Sequence, residues 1–148
     1  MQTLETTRRL SEVDRERIGS ILKSIFERRA AGDIEGMLML MAPDIVCFPD
    51  QTWGHAYYPR SIVGKDAMRE ALRQRHINYV IVDMEVHRTL IDADQAAVHR
   101  TTTLRERGSG VSFTFASVAF FRFRDGLIIE LTDLPDGRAL EVVRNFPH

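Results

Sequence analysis

Residues 111–134 read VSFTFASVAFFRFRDGLIIELTDL, and this stretch decides the fold. Successive side chains of an extended strand point to opposite faces, so Phe113, Phe115, Ser117, Ala119, Phe121 and Phe123 line one side. Asp125-Gly126 is a two-residue hairpin signal, because both positions of such a turn call for positive φ. Past the turn, the same alternation sets Leu127, Ile129, Leu131 and Asp133 on the apolar face. A carboxylate therefore closes a hydrophobic row. An ionised carboxylate on a buried face costs several kcal/mol unless it is paired or hydrogen-bonded, so Asp133 is the first candidate for chemistry.

Moving upstream, the period of two extends back to Tyr79. The turn signals Asp92-Ala93-Asp94, Gly108-Ser109-Gly110 and Asp125-Gly126 divide the stretch from Tyr79 into four strands, which predict an antiparallel meander. In its first strand Val80, Val82, Met84, Val86 and Leu90 share one face, and Asp83, Glu85 and His87 the other. In the second, Val98, Arg100, Thr102 and Leu104 stand opposite Ala97, His99, Thr101, Thr103 and Arg105. Arg100 is thus a second charge on a core-like face.

The first half reads as helices. Ser11 followed by Asp14 resembles a capping box, and Ile18, Ile21, Leu22, Ile25 and Phe26 recur at helical spacing, predicting a helix from about Glu12 to Ala31. Gly32 suits its C-terminal cap. Asp33 can cap a short second helix carrying Ile34, Met37, Leu38, Leu40 and Met41, stopped by Pro43. Ile45 to Phe48 reads as a strand. Residues 49–63 fit neither element and hold Asp50, Trp53, His55, Tyr57 and Tyr58. A third helix runs from Gly64 to about Arg75 with Ala67, Met68, Ala71 and Leu72 inside, and a brief helix near Arg138 to Val143 ends the chain.

Composition bounds the function. The 148 residues suit a single domain over residues 11–148 behind a flexible leader over residues 1–10. Charges nearly cancel, with 20 basic against 21 acidic, which asks for neither nucleic acid nor membrane as a partner. No apolar run approaches a bilayer span and the N-terminus has no signal-peptide core, so a cytoplasmic address is the simplest reading. The lone Cys47 has neither a pairing partner nor an activating base nearby, and the five histidines show no metal-ligand spacing. No metal, thiol chemistry or cofactor is expected.

Ala31-Gly32-Asp33-Ile34-Glu35-Gly36 after the first helix, Leu40-Met41-Ala42-Pro43-Asp44 leading into a strand, Gly64 before the third helix, and Phe121-Arg122-Phe123 with Asp125-Gly126 occur in an order that resembles the nuclear-transport-factor-2-like superfamily. The likeness is to its SnoaL-like and ketosteroid-isomerase-like branches and covers residues 13–143. It implies an α+β, cystatin-like cone, in which three N-terminal helices pack on a curved, mainly antiparallel sheet around a deep apolar pocket for a small hydrophobic ligand. The resemblance suggests Phe48, Trp53, Tyr57, Tyr58, Thr102, Phe115, Phe121 and Leu131 as pocket lining.

The superfamily hosts isomerases, cyclases, hydrolases and non-catalytic binders, so the residues must choose among them. Laid along the matching motifs, the helix-one tyrosine of ketosteroid isomerase falls at Ile25, its base at Pro49 and its buried proton donor at Ala119; that catalytic set is absent. Asp50, one residue beyond the base position, is a candidate base or simply a turn residue. The limonene-epoxide-hydrolase pattern sets an arginine between two carboxylates on late strands. Arg100 and Asp133 match the arginine and one acid, and Thr102 stands where the other acid belongs. A carboxylate beside an arginine favours its anion, making it a weak base and a poor general acid.

The bland readings are a structural Arg100 and Asp133 ion pair at the sheet edge, and loop packing for the aromatic cluster at Trp53, Tyr57 and Tyr58 instead of a lid. His99 reads as a surface or dimer-interface histidine, with His55 and His76 solvated. Ser112, Thr114, Ala116, Val118 and Phe120, with Thr101 and Thr103, make the other sheet face too apolar for full solvation, predicting a homodimer through it or helix packing on it. Two functions remain: a cofactor-independent isomerase, cyclase or hydrolase with Asp133 as base and Arg100 beside it, or a non-catalytic binding homodimer using the pair as a polar anchor.

Overall fold

A computed structural model describes residues 4–48 and 61–136, with side chains from residue 14 onward. Among the described residues, three helices and six strands follow one another as α1 (Leu4–Ala30), α2 (Ile34–Met39), β1 (Met41–Phe48), β2 (Ile62–Val63), α3 (Lys65–Asn78), β3 (Tyr79–Asp92), β4 (Gln95–Glu106), β5 (Ser112–Arg124) and β6 (Leu127–Pro135). The strands form one sheet in the order β2-β1-β6-β5-β4-β3. All neighbours are antiparallel except β1 with β6, which run parallel with Cys47 opposite Leu131. This is the α+β arrangement expected from the sequence. Asp50, Trp53, His55, Tyr57, Tyr58 and the helix expected near Arg138 to Val143 lie outside the described residues.

Helix α1 buries Ile18, Leu22 and Ile25, one stripe at helical spacing, against the concave sheet. It starts upstream of the Glu12 expected from the Ser11 cap. Between Leu4 and Ile18 no glycine or proline interrupts the helix, so nothing stops it there. Its end is as expected: Gly32 has φ 73°, its N–H donates to the Arg29 carbonyl, and the Asp33 N–H donates to the Arg28 carbonyl. That bond pair is the Schellman closure. Asp33 then caps α2, its Oδ1 accepting from the Gly36 N–H at 2.9 Å. Leu40 and Met41, expected in α2, leave it, because β6 claims the backbone: the Ile128 N–H donates to the Leu40 carbonyl, and Met41 pairs with Ile128. Helix α3 buries Met68, Ala71, Leu72 and Arg75, while Ala67 is exposed.

The meander has the expected turns, and Asp125 and Gly126 both take positive φ. Three bulges change which residues face inward. In β6 the register slips between Arg122 and Phe123, so that Phe123 opposes Ile128 while Phe121 opposes Leu131. Ile129 is the extra residue, and Ile128 is buried in place of Leu127 and Ile129. In β3 bulges lie between Ile81 and Asp83 and between Val86 and Arg88. Ile81, Met84 and Val86 therefore oppose the inward residues Leu104, Thr102 and Arg100, while Val80 and Leu90 oppose the outward Arg105 and Ala97. Strict alternation cannot survive an inserted residue. No helix among the described residues is long and apolar enough to cross a membrane.

Candidate functional site

On the concave face, β4, β5 and β6 converge on one charged pair. Arg100 Nη2 lies 2.8 Å from Asp133 Oδ2, and both side chains are about as inaccessible as the core, at 3% each. The two residues sit on strands separated by β5, so the arginine must reach across it. The row of β5 shows how: Phe113, Phe115, Phe121 and Phe123 are interrupted by Ser117, opposite Arg100, and Ala119, opposite Asp133. Two small residues open a gap in the phenylalanine row, and the guanidinium lies in it. Ser117 also accepts from Arg100 Nε at 3.3 Å, and the Phe26 ring of α1 lies under the guanidinium at 5.1 Å. Carboxylate, hydroxyl and ring together hold the arginine in one orientation.

The second carboxylate oxygen is different. Asp133 Oδ1 is buried and has no hydrogen-bond partner among the described residues. A buried acceptor left unsatisfied costs about 1–3 kcal/mol, more when charged, so this atom is either a liability or a working group. Asp133 also lines a cavity of about 20 Å³ walled by Ile25, Phe26, Met37, Met68, Leu72, Phe121 and Leu131 together with the pair and Arg29. That is room for one water molecule. A second cavity of about 90 Å³ shares Arg29, Met37 and Leu72 with the first and continues to Arg75, His76 and Tyr79. Burial pushes the Tyr79 phenol above its ordinary range, so it stays neutral.

The structure thus brings together four of the residues singled out from sequence: Arg100, Asp133, Phe121 and Leu131. Thr102 and Phe115 are buried on the same face, opposite each other, and Phe115 belongs to a separate cluster with Tyr79, Leu104 and Phe113. Phe48 is exposed at the end of β1 opposite Thr132. Asp50, Trp53, Tyr57 and Tyr58 fall outside the described residues. His99 points to the outer face and is exposed. Ser117 and Phe26 were not singled out as site residues from the sequence, although the small-residue gap in the phenylalanine row was a legible signal. No cluster of three or more metal-ligating side chains occurs among the described residues.

A family model described as SnoaL-like domain matches residues 22–131. No curated protein sequence matches significantly. Among solved structures, a Bacillus subtilis protein provisionally described as an isomerase superposes with TM-score 0.75 at 15% identity, covering 87% of this chain and 93% of its own. A nuclear-transport-factor-2-like protein of unknown function from Burkholderia pseudomallei gives TM-score 0.73 at 21% identity, covering 86% and 95%. An LEH-like epoxide hydrolase from M. tuberculosis gives 0.66 at 16%, covering 84% and 86%. At these identities the structural likeness fixes the fold alone.

Proposed function

From the premise that the chain belongs to the SnoaL-like domain family, with the nuclear-transport-factor-2-like cone, we propose that it is a cofactor-independent enzyme for a small hydrophobic substrate, with Asp133 as its base. One observation carries this reading: a buried carboxylate on the wall of an apolar cavity has one oxygen held by Arg100 and the other without a hydrogen-bond partner among the described residues. Arg100 holds Oδ2 and fixes the carboxylate's plane, while Oδ1 keeps a lone pair for a proton taken from a substrate C–H or from a water molecule. The walls are mainly apolar, which strengthens the electrostatics of the exchange. Isomerisation, cyclisation and hydrolysis all begin with such a transfer, and the epoxide hydrolase among the structural neighbours is consistent with the last.

A second reading is favoured by Thr102, which is buried where a hydrolase of this pattern keeps its second acid. With no acid there, the pair would serve as a polar anchor for a bound ligand without turnover, in a homodimer formed through the outer sheet face. One experiment addresses both. Thermal-shift screening with steroids, terpene epoxides and polyketide-like aromatics identifies ligands, and turnover is then compared between the native chain and Asp133→Asn. The enzyme reading expects turnover to fall by about 10²-fold or more with binding retained, on the scale of a lost general base. Turnover unchanged by Asp133→Asn removes Asp133 from the mechanism, and binding without turnover in the native chain selects the second reading.

A further inference from the structure

On the outer face of the sheet, the bulge in β3 sets His87 and Arg88 across from one residue of β4, His99. Both histidines are exposed. Their ring centroids are 5.1 Å apart and their planes are inclined at 50°. His87 Nε2 lies 2.5 Å from the hydroxyl oxygen of Thr101, the next outward residue of β4. We propose that His87 and His99 form a two-imidazole site for a divalent transition-metal ion of the zinc and copper class, with Thr101 orienting the His87 ring.

The separation fits chelation. Imidazole nitrogens bind zinc at about 2.0–2.1 Å, which puts the metal about 3.2 Å from each ring centre; two rings at a tetrahedral angle then stand roughly 5.2 Å apart. The pair already has that spacing. The hydrogen bond supplies the second argument. In the tautomer whose Nε2–H donates to Thr101 Oγ1, His87 keeps its lone pair on Nδ1, and metal-bound histidines characteristically donate their other N–H to such an acceptor. The donor set supplies the third, because two neutral imidazoles select borderline metals over calcium or magnesium, which require oxygen ligands. With no third ligating side chain in the cluster, water completes the coordination sphere. Spacing along the sequence could not disclose this pair, since a bulge and a hairpin register bring the two rings together. A bound ion would clamp the edge strand β3 to β4 at the point where the bulge interrupts their ladder.

The test uses the untagged full-length chain after chelator treatment. Zn²⁺ binding is measured by calorimetry, and the visible spectrum of added Co²⁺ reports nitrogen ligation. The expected result is one ion per chain, with His87→Ala or His99→Ala each weakening binding by about 10²-fold, the gain normally supplied by a second linked ligand. Thr101→Val keeps both rings and is expected to weaken binding about tenfold. All three positions lie on the outer face away from the core, and equal melting temperatures of the metal-free proteins check that the fold is intact. Absence of Zn²⁺ binding to the native chain overturns the proposal, as does affinity unchanged in the His87→Ala/His99→Ala double variant.

Discussion

At the scale of single residues, Arg100 and Asp133 trade stability for a defined charge. Removing one member of a buried ion pair strands the other, at a cost of about 3–5 kcal/mol, whereas replacing both with apolar groups of similar volume is often neutral or stabilising. Asp133→Ala is therefore expected to destabilise by about 3–5 kcal/mol in urea titration, and the Arg100→Met/Asp133→Leu double variant to lie near or above the native chain. A double variant as unstable as the sum of the singles would mean that the pair is not a coupled unit. Ala119 gives a second test. It has no exposed surface and opposes Asp133 on β5, in the gap through which the guanidinium passes. Ala119→Leu would fill that gap, costing about 1–3 kcal/mol by overpacking, and would push Arg100 off the carboxylate. The same urea titration reads the first effect. Loss of the additional penalty for Asp133→Ala in the Ala119→Leu background reads the second.

At the scale of elements, the turns and the Gly32 and Asp33 caps were legible because their chemistry is local, whereas α1 runs through the Ser11 expected to cap it. Asp33 and Gly36 show how tightly the entry to α2 is specified: a Cβ at Gly36 would clash with Asp33 Oδ2. Gly36→Ala is expected to displace the capping carboxylate and cost about 1 kcal/mol, the usual value of a lost cap. In an Asp33→Ala background the obstacle is gone and alanine's better helix propensity remains, so the same change should stabilise by about 0.5–1 kcal/mol; thermal melts of the four proteins decide whether the sign reverses. In the turn between β4 and β5, Ser109 donates to Glu106 through its N–H at 2.6 Å and its hydroxyl at 2.7 Å. These bonds, the hydroxyl's first, hold the Glu106 carboxyl below its ordinary range. A carboxyl depressed in the folded state adds stability above its unfolded value of about 4.3, and that stability is lost as pH falls through the folded value. Ser109→Ala should move the Glu106 carbon resonance titration upward and flatten the acid limb of the stability curve; an unmoved titration would show the hydroxyl bond to be absent in solution. The bulges are the opposite case. Nothing in Leu127-Ile128-Ile129 says which isoleucine is the extra residue, because all three are apolar and only pairing with Arg122 and Phe123 decides. The single face expected to carry Val80, Met84, Val86 and Leu90 is split in β3 by bulges that alternation likewise does not announce.

At the scale of the molecule, the cone has two sheet faces with different contents. The concave face was legible as a row of side chains, but the meeting of Arg100 with Asp133 was not, since it needs the strand order that sets β5 between them and the small pair Ser117 and Ala119 to open the way. The convex face carries Phe120 at 46% exposure and Leu134 at 54%. Cross-strand pairing of Val118 with Leu134, and of Ala97 with Phe120, joins them to smaller apolar neighbours in one patch. A contiguous apolar patch on a sheet is a site of association, and the proposed homodimer would bury it. Phe120→Asp with Leu134→Glu would set like charges against their symmetry mates across such an interface without touching the concave face. Sedimentation at micromolar concentration is expected to give a dimer for the native chain and a monomer for the variant. The variant should still respond to ligands in the thermal-shift screen as the native chain does, because the Arg100 and Asp133 pair lies on the opposite side of the sheet. A native chain that sediments as a monomer sinks the dimer outright, and a variant that remains dimeric moves the interface to another surface.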